Sequence, residues 1–494
     1  MNKFSEEKIN SFDTLHLNSK INVPLVVDLD GTLVLTDTLH ELAVKFLIKN
    51  PFLNLPIMIG WLFKGKAHFK HNMSQQIEVN VASLPYNMPF LKWASSQREN
   101  GRKIVLCSAA NERIANKVAE YTQIFDEVIS STKSDNLSGK NKALILEEKF
   151  SDTGYIYAGN SFDDIPVWDK AIETIIVNAP NKLEKIVKKT YDQNLFFSTN
   201  VKKISIWLKP LRLHQWTKNL LIFLPLIAAH QQYNFENISL LLASFICIGL
   251  CASSTYVFND IIDIDSDRLH ARKKNRSFAS GQIPVKFSLL MMLLLPLSII
   301  FASMIGENFM MIILLYTLLT LSYSLFLKIF AIIDCIVLAA LYTIRIIAGA
   351  VVIDNVPSFW LIAFSTLFFF SLAFLKRYSE LLSARDLGEN IIHGRGYLSS
   401  DSPLILSLGI SSALGSVIVM MLYLNSPEIL QLYNSPQIVW FTIPILLFWT
   451  SYIWLQANRG NMHDDPVIFA IKDRVSILSA ICFFVCIILG ARGF

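Results

Sequence analysis

The sequence predicts a two-part chain: an N-terminal α/β domain with a parallel sheet, followed by an all-helical membrane domain. The chain has 494 residues, of which 53% are hydrophobic and only 17% are charged, and its mean hydropathy is +0.43. The apolar residues are unevenly distributed, since roughly the first 200 residues have the composition of a soluble protein and long apolar runs dominate the remainder. A chain of this length is expected to form two or more domains.

The C-terminal part contains about nine apolar runs of about 17–23 residues, the length that crosses a bilayer as a helix. They lie near 217–233, 238–258, 287–305, 308–327, 332–353, 358–375, 403–424, 438–455 and 474–491. Every second loop between them lacks Lys and Arg, whereas each of the others contains at least one basic residue. Because basic loops stay in the cytoplasm, we expect a multi-pass protein of the bacterial cytoplasmic (inner) membrane, with its N-terminal domain in the cytoplasm and its C-terminus outside.

A basic and aromatic segment, Asn200–Lys218, joins the two parts. Its alternation of charged and apolar residues predicts a helix lying in the membrane interface, with an ordinary linker as the alternative. We therefore place the N-terminal domain at 1–195, the interfacial segment at 196–218 and the membrane domain at 219–494. The formal net charge of +5 is too small to indicate a nucleic-acid partner.

Four short apolar runs predict buried strands of a parallel sheet, because they alternate with helical stretches. They are Val23–Leu29, Lys103–Cys107, Tyr155–Ala158 and Thr174–Val177. Such sheets bind ligands at the carboxyl ends of their strands, and three of these ends carry polar side chains. Asp28 and Asp30 follow the first run, Ser108 the second and Asp163 the third.

Four ordered motifs over about residues 21–190 resemble those of the haloacid-dehalogenase (HAD) phosphatase superfamily. They are Asp28-x-Asp30-Gly31-Thr32, Ser108, Ser138-Gly139-Lys140 and Gly159–Asp164. The resemblance implies a HAD-like sheet with a helical cap at about 37–95. Within that cap, Trp61–His71 combines basic and aromatic residues, so it is expected to meet an anionic substrate or the membrane surface, or to be a solvated helix face.

The resemblance also implies a role for each motif residue. Asp28 would be the nucleophile that forms an aspartyl-phosphate, and Asp30 the general acid and base. Ser108 and Lys140 would hold the phosphoryl oxygens, with Lys142 as a rival for the role of Lys140. The implied Mg2+ ligands are Asp28, Asp30, Asp163 and Asp164, the last in a supporting role. Paired aspartates can also be purely structural, and fused phosphatase-like domains can be regulatory.

A second acidic motif follows the second apolar run. Its members, Asn259, Asp260, Asp263 and Asp267, are spaced to lie on one helical face. Carboxylates this close repel one another unless a divalent cation lies among them, and hard oxygen ligands suit Mg2+ with substrate phosphates in its shell. The basic residues Arg272, Lys273, Lys274 and Arg276 follow and would bind further phosphate oxygens. The alternative is a solvated acidic loop.

This motif makes residues 205–494 resemble the UbiA superfamily of intramembrane prenyltransferases. Where members have a second aspartate-rich motif, this chain has Lys376-Arg377-Tyr378-Ser379-Glu380. Together with Arg212–Asn219, Asp334 and Tyr342-x-x-Arg345, that departure resembles the branch that transfers phosphoribose from phosphoribosyl diphosphate (PRPP) to a polyprenyl phosphate. Leu213 stands where that branch usually has proline.

The resemblance implies a set of substrate-binding residues around a Mg2+-bound diphosphate. They are Arg212, Lys218, Arg272, Lys273, Arg276, Lys328, Tyr342, Arg345, Lys376, Arg377 and Glu380. Arg345 lies within a predicted span, where a charge is costly and usually functional, although it could also extend toward the interface. Asp464-Asp465-Pro466 is a weaker candidate.

The leading functional expectation is transfer of 5-phosphoribose to a decaprenyl-phosphate-type lipid, with the HAD domain removing the 5-phosphate. The product would be a precursor of pentose (arabinofuranose-type) sugars of the cell envelope. A second hypothesis is transfer of a prenyl group from a prenyl diphosphate to an aromatic acceptor. A third is a transporter with a regulatory soluble domain. The sequence leaves prenyl chain length and oligomeric state open.

Overall fold

The computed structural model describes residues 21–191, 194–197, 204–228, 234–270, 273–386, 388, 395–427, 433–462 and 465–492. The chain divides into two compact units. The first comprises Met1–Leu211 and Tyr256–Met292, and the second comprises Arg212–Thr255 and Leu293–Phe494. The predicted boundaries follow the order of the chain, and they differ from this division because Tyr256–Met292 packs with the first unit.

The first unit contains a six-stranded parallel sheet in the order β3-β2-β1-β4-β5-β6. Its strands are β1 Leu25–Val27, β2 Ile104–Asn111, β3 Glu127–Ser131, β4 Ile156–Gly159, β5 Glu173–Val177 and β6 Asn194–Phe197. Side chains of β1 alternate between the two faces, so that Leu25 and Val27 join one core cluster and Val26 joins another. The predicted parallel α/β fold is thereby confirmed.

Helices cover both faces of this sheet, as parallel strands require. They are α1 Thr38–Lys49, α2 Pro51–Phe63, α3 Lys66–Gln76, α4 Met88–Glu99, α5 Glu112–Thr122, α6 Lys140–Lys149, α7 Ile165–Trp168 and α8 Asn181–Thr190. Helices α1 to α4 lie between β1 and β2 in the chain, where the sequence predicts the cap.

The expected interfacial segment begins, within the described residues, as the short helix α9, Ile204–Leu208. Ile206 is buried, whereas Trp207 and Leu208 are exposed. The Trp207 ring makes an edge-on contact with Phe287, at 4.9 Å between centroids.

The remaining helices comprise the long apolar helices of the membrane part and several short ones. They are α10 Leu224–Ala228, α11 Phe235–Ile262, α12 Ile264–Leu269, α13 Phe287–Met292, α14 Leu294–Ile305, α15 Glu307–Leu325, α16 Ile333–Val352, α17 Phe359–Asp386, α18 Ser402–Leu424, α19 Pro436–Val439, α20 Thr442–Asn458, α21 Pro466–Lys472 and α22 Arg474–Arg492. Counted with their flanking turns, they provide eight stretches in the described part of the chain that are long and apolar enough to cross a membrane. The predicted all-helical membrane part is confirmed.

Of the about nine expected spans, eight are found as long apolar helices among the described residues. The first predicted run, 217–233, begins within a 3-10 helix, Leu213–Phe223, and continues as the five residues of α10. Lys218 and Asn219 are buried in this stretch and bond to other helices. The run is therefore not a uniformly apolar α-helix, and residues 229–233 lie outside the described part.

A buried ion pair anchors Tyr256–Met292 to the α/β fold of the first unit. The Arg268 guanidinium donates two hydrogen bonds to the Glu41 carboxylate, at 2.9 and 2.8 Å. Burial alone would raise the pKa of Glu41, but the charges of Lys45 and Arg268 outweigh it and hold that pKa below its usual value. Val44 of α1 also packs into one apolar cluster with Val257.

Replacing Glu41 by Gln should destabilise the first unit by about 3–5 kcal/mol, because Arg268 keeps a buried charge without its carboxylate. Unfolding of the detergent-solubilised protein at increasing denaturant would measure the change. Glu41→Leu combined with Arg268→Met should recover most of the stability. The control is Glu147→Gln, which breaks an exposed pair with Lys170 and should cost less than about 1 kcal/mol. Equal effects of Glu41→Gln and Glu147→Gln would contradict the prediction.

Candidate active sites

The first candidate site lies at the carboxyl end of β1, where Lys142 contacts Asp28. The Lys142 ammonium donates to Oδ1 of Asp28 at 2.9 Å and to the Tyr157 hydroxyl at 2.8 Å. Lys140 is exposed at the first residue of α6. Two residues along a helix turn the side chain by about 200°, so Lys140 and Lys142 lie on opposite faces. Between the two rivals, the structure brings Lys142 to the carboxylate.

Asp28 and Asp30 differ in the ease with which they ionise. Burial raises the pKa of Asp28 to about 6, although Lys142 opposes that shift. Burial and the nearby Asp37 raise the pKa of Asp30 to about 8, while the backbone amide of Thr38 donates to Oδ1 of Asp30 at 2.8 Å. Burial therefore favours the protonated form of both carboxyls, and of Asp30 more than of Asp28. Such a split suits a nucleophile beside a general acid.

Asp164 holds the loop of the fourth motif in place. Its Oδ2 accepts hydrogen bonds from the backbone amides of Asn160 and Ser161 and from the Ser161 hydroxyl, and its Oδ1 accepts from Tyr157 at 2.7 Å. Both oxygens are therefore engaged, which gives Asp164 a supporting role. Asp163 is exposed.

Asn160 is a site residue that the sequence did not single out. Its side chain lies against Gly31, which has a φ of +79°, so closely that a Cβ on that glycine would come within 1.9 Å of Nδ2. The amide of Asn160 therefore meets the turn that carries Asp30. Its only signal in the sequence is its position after the strand-ending Gly159.

Ser108 and Lys70 form another side of this site. Ser108 is buried in β2 and accepts a hydrogen bond from the Ala110 amide at 3.0 Å. Lys70 of α3 donates to the Ala109 carbonyl at 2.6 Å and to Asn136 at 2.7 Å. Burial lowers the pKa of Lys70, opposed by the charge of Asp30. The sequence placed Lys70 in a basic, aromatic stretch without assigning it to the site.

The oxygen donors of this site fit a magnesium ion. Asp28 and Asp30 offer carboxylates and Asn160 an amide oxygen, and Mg2+ prefers one or two carboxylates with water and phosphate as the other ligands. No group of three or more His, Cys, Asp or Glu side chains converges as a metal site in the described part of the chain. The protein would thus supply only part of the coordination shell.

The second candidate site is the acidic motif around the end of α11. Asp260 and Asp267 are buried, and both bond to the same nitrogen of Arg276, at 3.1 and 2.5 Å. Backbone bonds from Asp263 to Asn259 and from Asp267 to Asp263 continue the helical pattern across the break between α11 and α12. The predicted shared face is therefore present for Asp260 and Asp267.

Arg276, predicted to bind phosphate, supplies the positive charge between these carboxylates. Burial raises the pKa of Asp267, although Arg276 opposes the shift. Two buried carboxylates are hard donors that fit Mg2+ equally well. Asp263 and Asn259 are half-buried, Lys273 is exposed, and Arg272 lies outside the described residues.

The third candidate site belongs to the second unit, where two lysines meet Asp465. Lys218 and Lys376 lie 2.7 and 3.4 Å from its Oδ2. Burial alone would raise the pKa of Asp465, but the two lysines hold it well below its usual value. The Lys218 ammonium lies 5.4 Å from the centre of the Tyr342 ring. Asp465 therefore forms ion pairs with two lysines. Asp464 lies outside the described part of the chain.

Arg345 lies over the same tyrosine. Its guanidinium carbon is 5.7 Å from the centre of the Tyr342 ring, and its side chain donates to Asn219 at 2.9 Å and to the Tyr316 hydroxyl at 2.8 Å. Arg345 is buried, so it does not extend toward an interface. Its charge is satisfied by neutral partners and remains available to an anion.

Arg377 and Glu380, predicted to bind substrate, are engaged in a buried network instead. The fully buried Arg377 donates to Asp334 at 2.6 Å and also to Glu380. Asp334 accepts a further bond from Tyr397 at 2.5 Å. These bonds hold α16 and α17 together. Of the remaining predicted residues, Lys328 is half-buried on a short 3-10 helix, and Arg212 precedes the longer one with a φ of +48°.

A family model described as the UbiA prenyltransferase family matches residues 220–469. An uncharacterized protein of Sinorhizobium fredii is 35% identical over 92% of this chain and 88% of its own length, so the match spans both parts. The decaprenyl-phosphate phosphoribosyltransferase of Mycolicibacterium smegmatis is 28% identical over 55% of this chain and 88% of its own length.

Solved structures match each part separately. A UbiA homolog from Archaeoglobus fulgidus, bound to GPP and Mg2+, covers 57% of this chain and 99% of its own, with 18% identity and a TM-score of 0.44. A HAD family hydrolase from Salmonella enterica serovar Typhi covers 40% of this chain and 78% of its own, with 14% identity and a TM-score of 0.28.

The raised pKa of Asp30 predicts a pH-dependent stability. The folded chain keeps a proton that the unfolded chain releases, so the stabilising contribution is complete below pH 4 and is lost as pH rises toward 8. Asp30→Asn should therefore gain stability relative to the parent across this range, by about 1 kcal/mol per pH unit or less, and level off above it. Denaturant unfolding in EDTA would measure this, with the exposed Asp152→Asn as control. A constant difference would contradict the assignment.

Proposed function

Because the chain belongs to the UbiA prenyltransferase family, we propose that its membrane part transfers 5-phosphoribose from PRPP to a polyprenyl phosphate of the decaprenyl-phosphate type. The observation that carries this proposal is the pair Lys218 and Lys376 around Asp465. Two cations face one carboxylate, and the net positive charge suits a phosphate group, while Arg345 lies over the ring of Tyr342, which Lys218 also approaches. A prenyl diphosphate bound through a second aspartate motif would require acidic residues here. The similarity to decaprenyl-phosphate phosphoribosyltransferases supports the same donor and acceptor.

In the proposed transfer, the C1–diphosphate bond of PRPP breaks and a lipid phosphate oxygen bonds to C1. Asp260, Asp263, Asp267 and Asn259 would hold Mg2+, which neutralises charge on the departing diphosphate. The lipid phosphate is already an anion, so no general base is needed, and the protein contributes positioning and electrostatic stabilisation. Lys218, Lys376 and Arg345 bind the phosphate that does not react.

We propose that the HAD-like part then removes the 5-phosphate of the lipid product. Asp28 attacks phosphorus while the protonated Asp30 gives its proton to the departing ribose oxygen, and the same residue, now ionised, activates the water that hydrolyses the aspartyl-phosphate. Lys142 balances charge at Asp28, and a Mg2+ ion held by the Asp28 carboxylate, with the Asn160 amide oxygen as a further donor, would neutralise charge on the phosphate. The final product is a polyprenyl-phosphoryl-ribose, a precursor of cell-envelope pentoses.

The proposed topology keeps the HAD-like part in the cytoplasm and the C-terminus outside. Eight spans return the chain to the side on which they begin, so the stretch before α11 has to cross as well. The 3-10 helix Leu213–Phe223 rises about 2 Å per residue, and with α10 it extends about 30 Å, which equals the hydrocarbon thickness.

The transfer is tested by incubating reconstituted protein with PRPP, Mg2+ and a polyprenyl phosphate, followed by mass spectrometry of the lipids. Phosphoribose or ribose should be added to the lipid. Asp260→Asn or Asp267→Asn should slow the addition at least about a hundredfold, because each removes a proposed carboxylate ligand of Mg2+. A hundredfold loss corresponds to about 2.8 kcal/mol of lost transition-state stabilisation. Asp265→Asn, in the same helix but outside the motif, should retain most activity. Prenylation of an aromatic acceptor without any new phosphoribosyl lipid would favour the alternative function.

The dephosphorylation is tested by the ratio of the two lipid products. Asp28→Asn should leave the total amount of product unchanged and shift it to the phosphorylated form, because only the nucleophile is lost. Asp152→Asn, an exposed carboxylate of the same domain, is the control. An unchanged ratio in Asp28→Asn would exclude this lipid as the substrate of the HAD-like site.

A further inference from the structure

Helix α2 is apolar on its outward side as well as on the side that packs inward. Its 13 residues, Pro51–Phe63, contain a single amide or charged side chain, Asn54. Asn54 points inward and donates to the Phe46 carbonyl at 2.6 Å. Trp61 stacks on Phe46 at 5.4 Å, and Met58 and Trp61 pack against the core of the sheet.

The opposite side of α2 is an exposed apolar face. Phe52 and Phe63 at its two ends are 91% and 88% exposed, and Leu53 and Leu62 are 64% and 51% exposed. Leu55, Ile57 and Ile59 are exposed as well. A surface helix of a soluble protein has polar residues on this side, and a contiguous apolar patch marks an interaction site.

Three observations indicate that a lipid bilayer covers this face. First, Ile48, which precedes α2, packs against the same apolar cluster as Phe287 and Met291, and those two residues begin the candidate span Phe287–Ile305. A residue of α1, three positions before α2, therefore packs with the first residues of a candidate span. A covering bilayer would be continuous with the lipid around that span.

Second, the ends of α2 are basic. Lys49 comes before it, Lys64 and Lys66 come after it, and all three are exposed. This arrangement of an apolar helix between lysines complements anionic lipid head groups.

Third, the 13 residues of α2 extend about 20 Å. This length is too short to cross a hydrocarbon core of about 30 Å, so α2 lies within the interface.

We propose that α2 inserts its exposed face into the membrane interface and thereby presents the Asp28 site to a phosphate monoester carried by a membrane lipid. The assignment of the lipid as substrate rests on the proposed function, whereas the insertion of α2 does not. Helix α3 follows α2 after Gly65, and its Lys70 bonds to the Ala109 carbonyl, next to Ser108. One helical hairpin thus links the lipid surface to the phosphate site.

The insertion is tested with spin labels in the full chain, reconstituted in vesicles of phosphatidylethanolamine and phosphatidylglycerol. Leu53→Cys and Leu144→Cys carry the label, in a background with Cys482→Ser and Cys486→Ser. The two leucines are equally exposed, at 64%, but Leu144 lies on α6. The Leu53 label should collide with dissolved oxygen and the Leu144 label with a water-soluble nickel chelate.

Two outcomes would overturn the insertion. Nickel access to the Leu53 label equal to that of the Leu144 label would show that α2 faces water. A Leu53 label shielded from both reagents, with broadening between labels, would show that a second copy of the chain covers the face.

The substrate assignment is tested by comparing two phosphate monoesters, the phosphoribosyl lipid in vesicles and soluble p-nitrophenyl phosphate. Leu53→Glu with Leu62→Glu should lower turnover of the lipid about tenfold and leave the soluble ester unaffected, while Leu144→Glu affects neither. An equal loss with both substrates, or no loss, would overturn the assignment. Absence of phosphatase activity in the parent would refute the proposed function and leave the spin-label result standing.

Discussion

The ion pair between Glu41 and Arg268 is the interaction on which the first unit depends. The Arg268 charge is buried and is stabilised by a hydrogen-bonded partner of opposite charge, the Glu41 carboxylate on α1. The first amide of α1, from Thr38, bonds to Asp30, and Glu41 follows one turn later. Arg268 adjoins Asp267 in the chain. Helix α1 therefore bonds to the phosphatase-like site through its first residue, Thr38, and to the chain beside the acidic motif through Glu41. The two sites are thus connected by one helix.

The second unit is organised by a related constraint, since a membrane helix cannot leave a charge unsatisfied. Asp334 and Arg377 neutralise each other at zero exposure, and Glu380 and Tyr397 complete the network. Arg377 is thereby committed to holding helices together. The adjacent Lys376, a third exposed, points instead to Asp465 and Lys218. Of two neighbouring cations in one motif, one stabilises the fold and the other remains suited to a ligand.

Sequence periodicity was sufficient for four of the six strands and for eight spans, because burial on both faces of a parallel strand and contact with lipid both demand uninterrupted apolar runs. It did not identify β3, whose residues are mostly half-buried, or β6. It failed where a contact between distant residues decides the outcome. Lys140 and Lys142 are equivalent in a motif, and only the phase of α6 separates them. Arg276 has the residue type of a phosphate ligand. Its bonds to Asp260 and Asp267 arise because the chain after α12 brings Arg276 back beside the acidic motif. Lys70 joined the first site through tertiary packing that no local pattern encodes, and Asn160, although it belongs to the fourth motif, gained its role from its contact with Gly31.

The charges of Asp260, Asp267 and Arg276 bear on the proposed transfer. Asp260 and Asp267 carry two negative charges beside one guanidinium, so the site as it stands is one positive charge short. A divalent cation between the carboxylates would overcompensate them while Arg276 stayed in place, and the excess positive charge would match an incoming diphosphate. Arg276 could then bond to phosphate oxygens without leaving the carboxylates unpaired. In the proposed transfer, Arg276 would therefore keep its aspartate partners and gain phosphate oxygens when metal and diphosphate are bound.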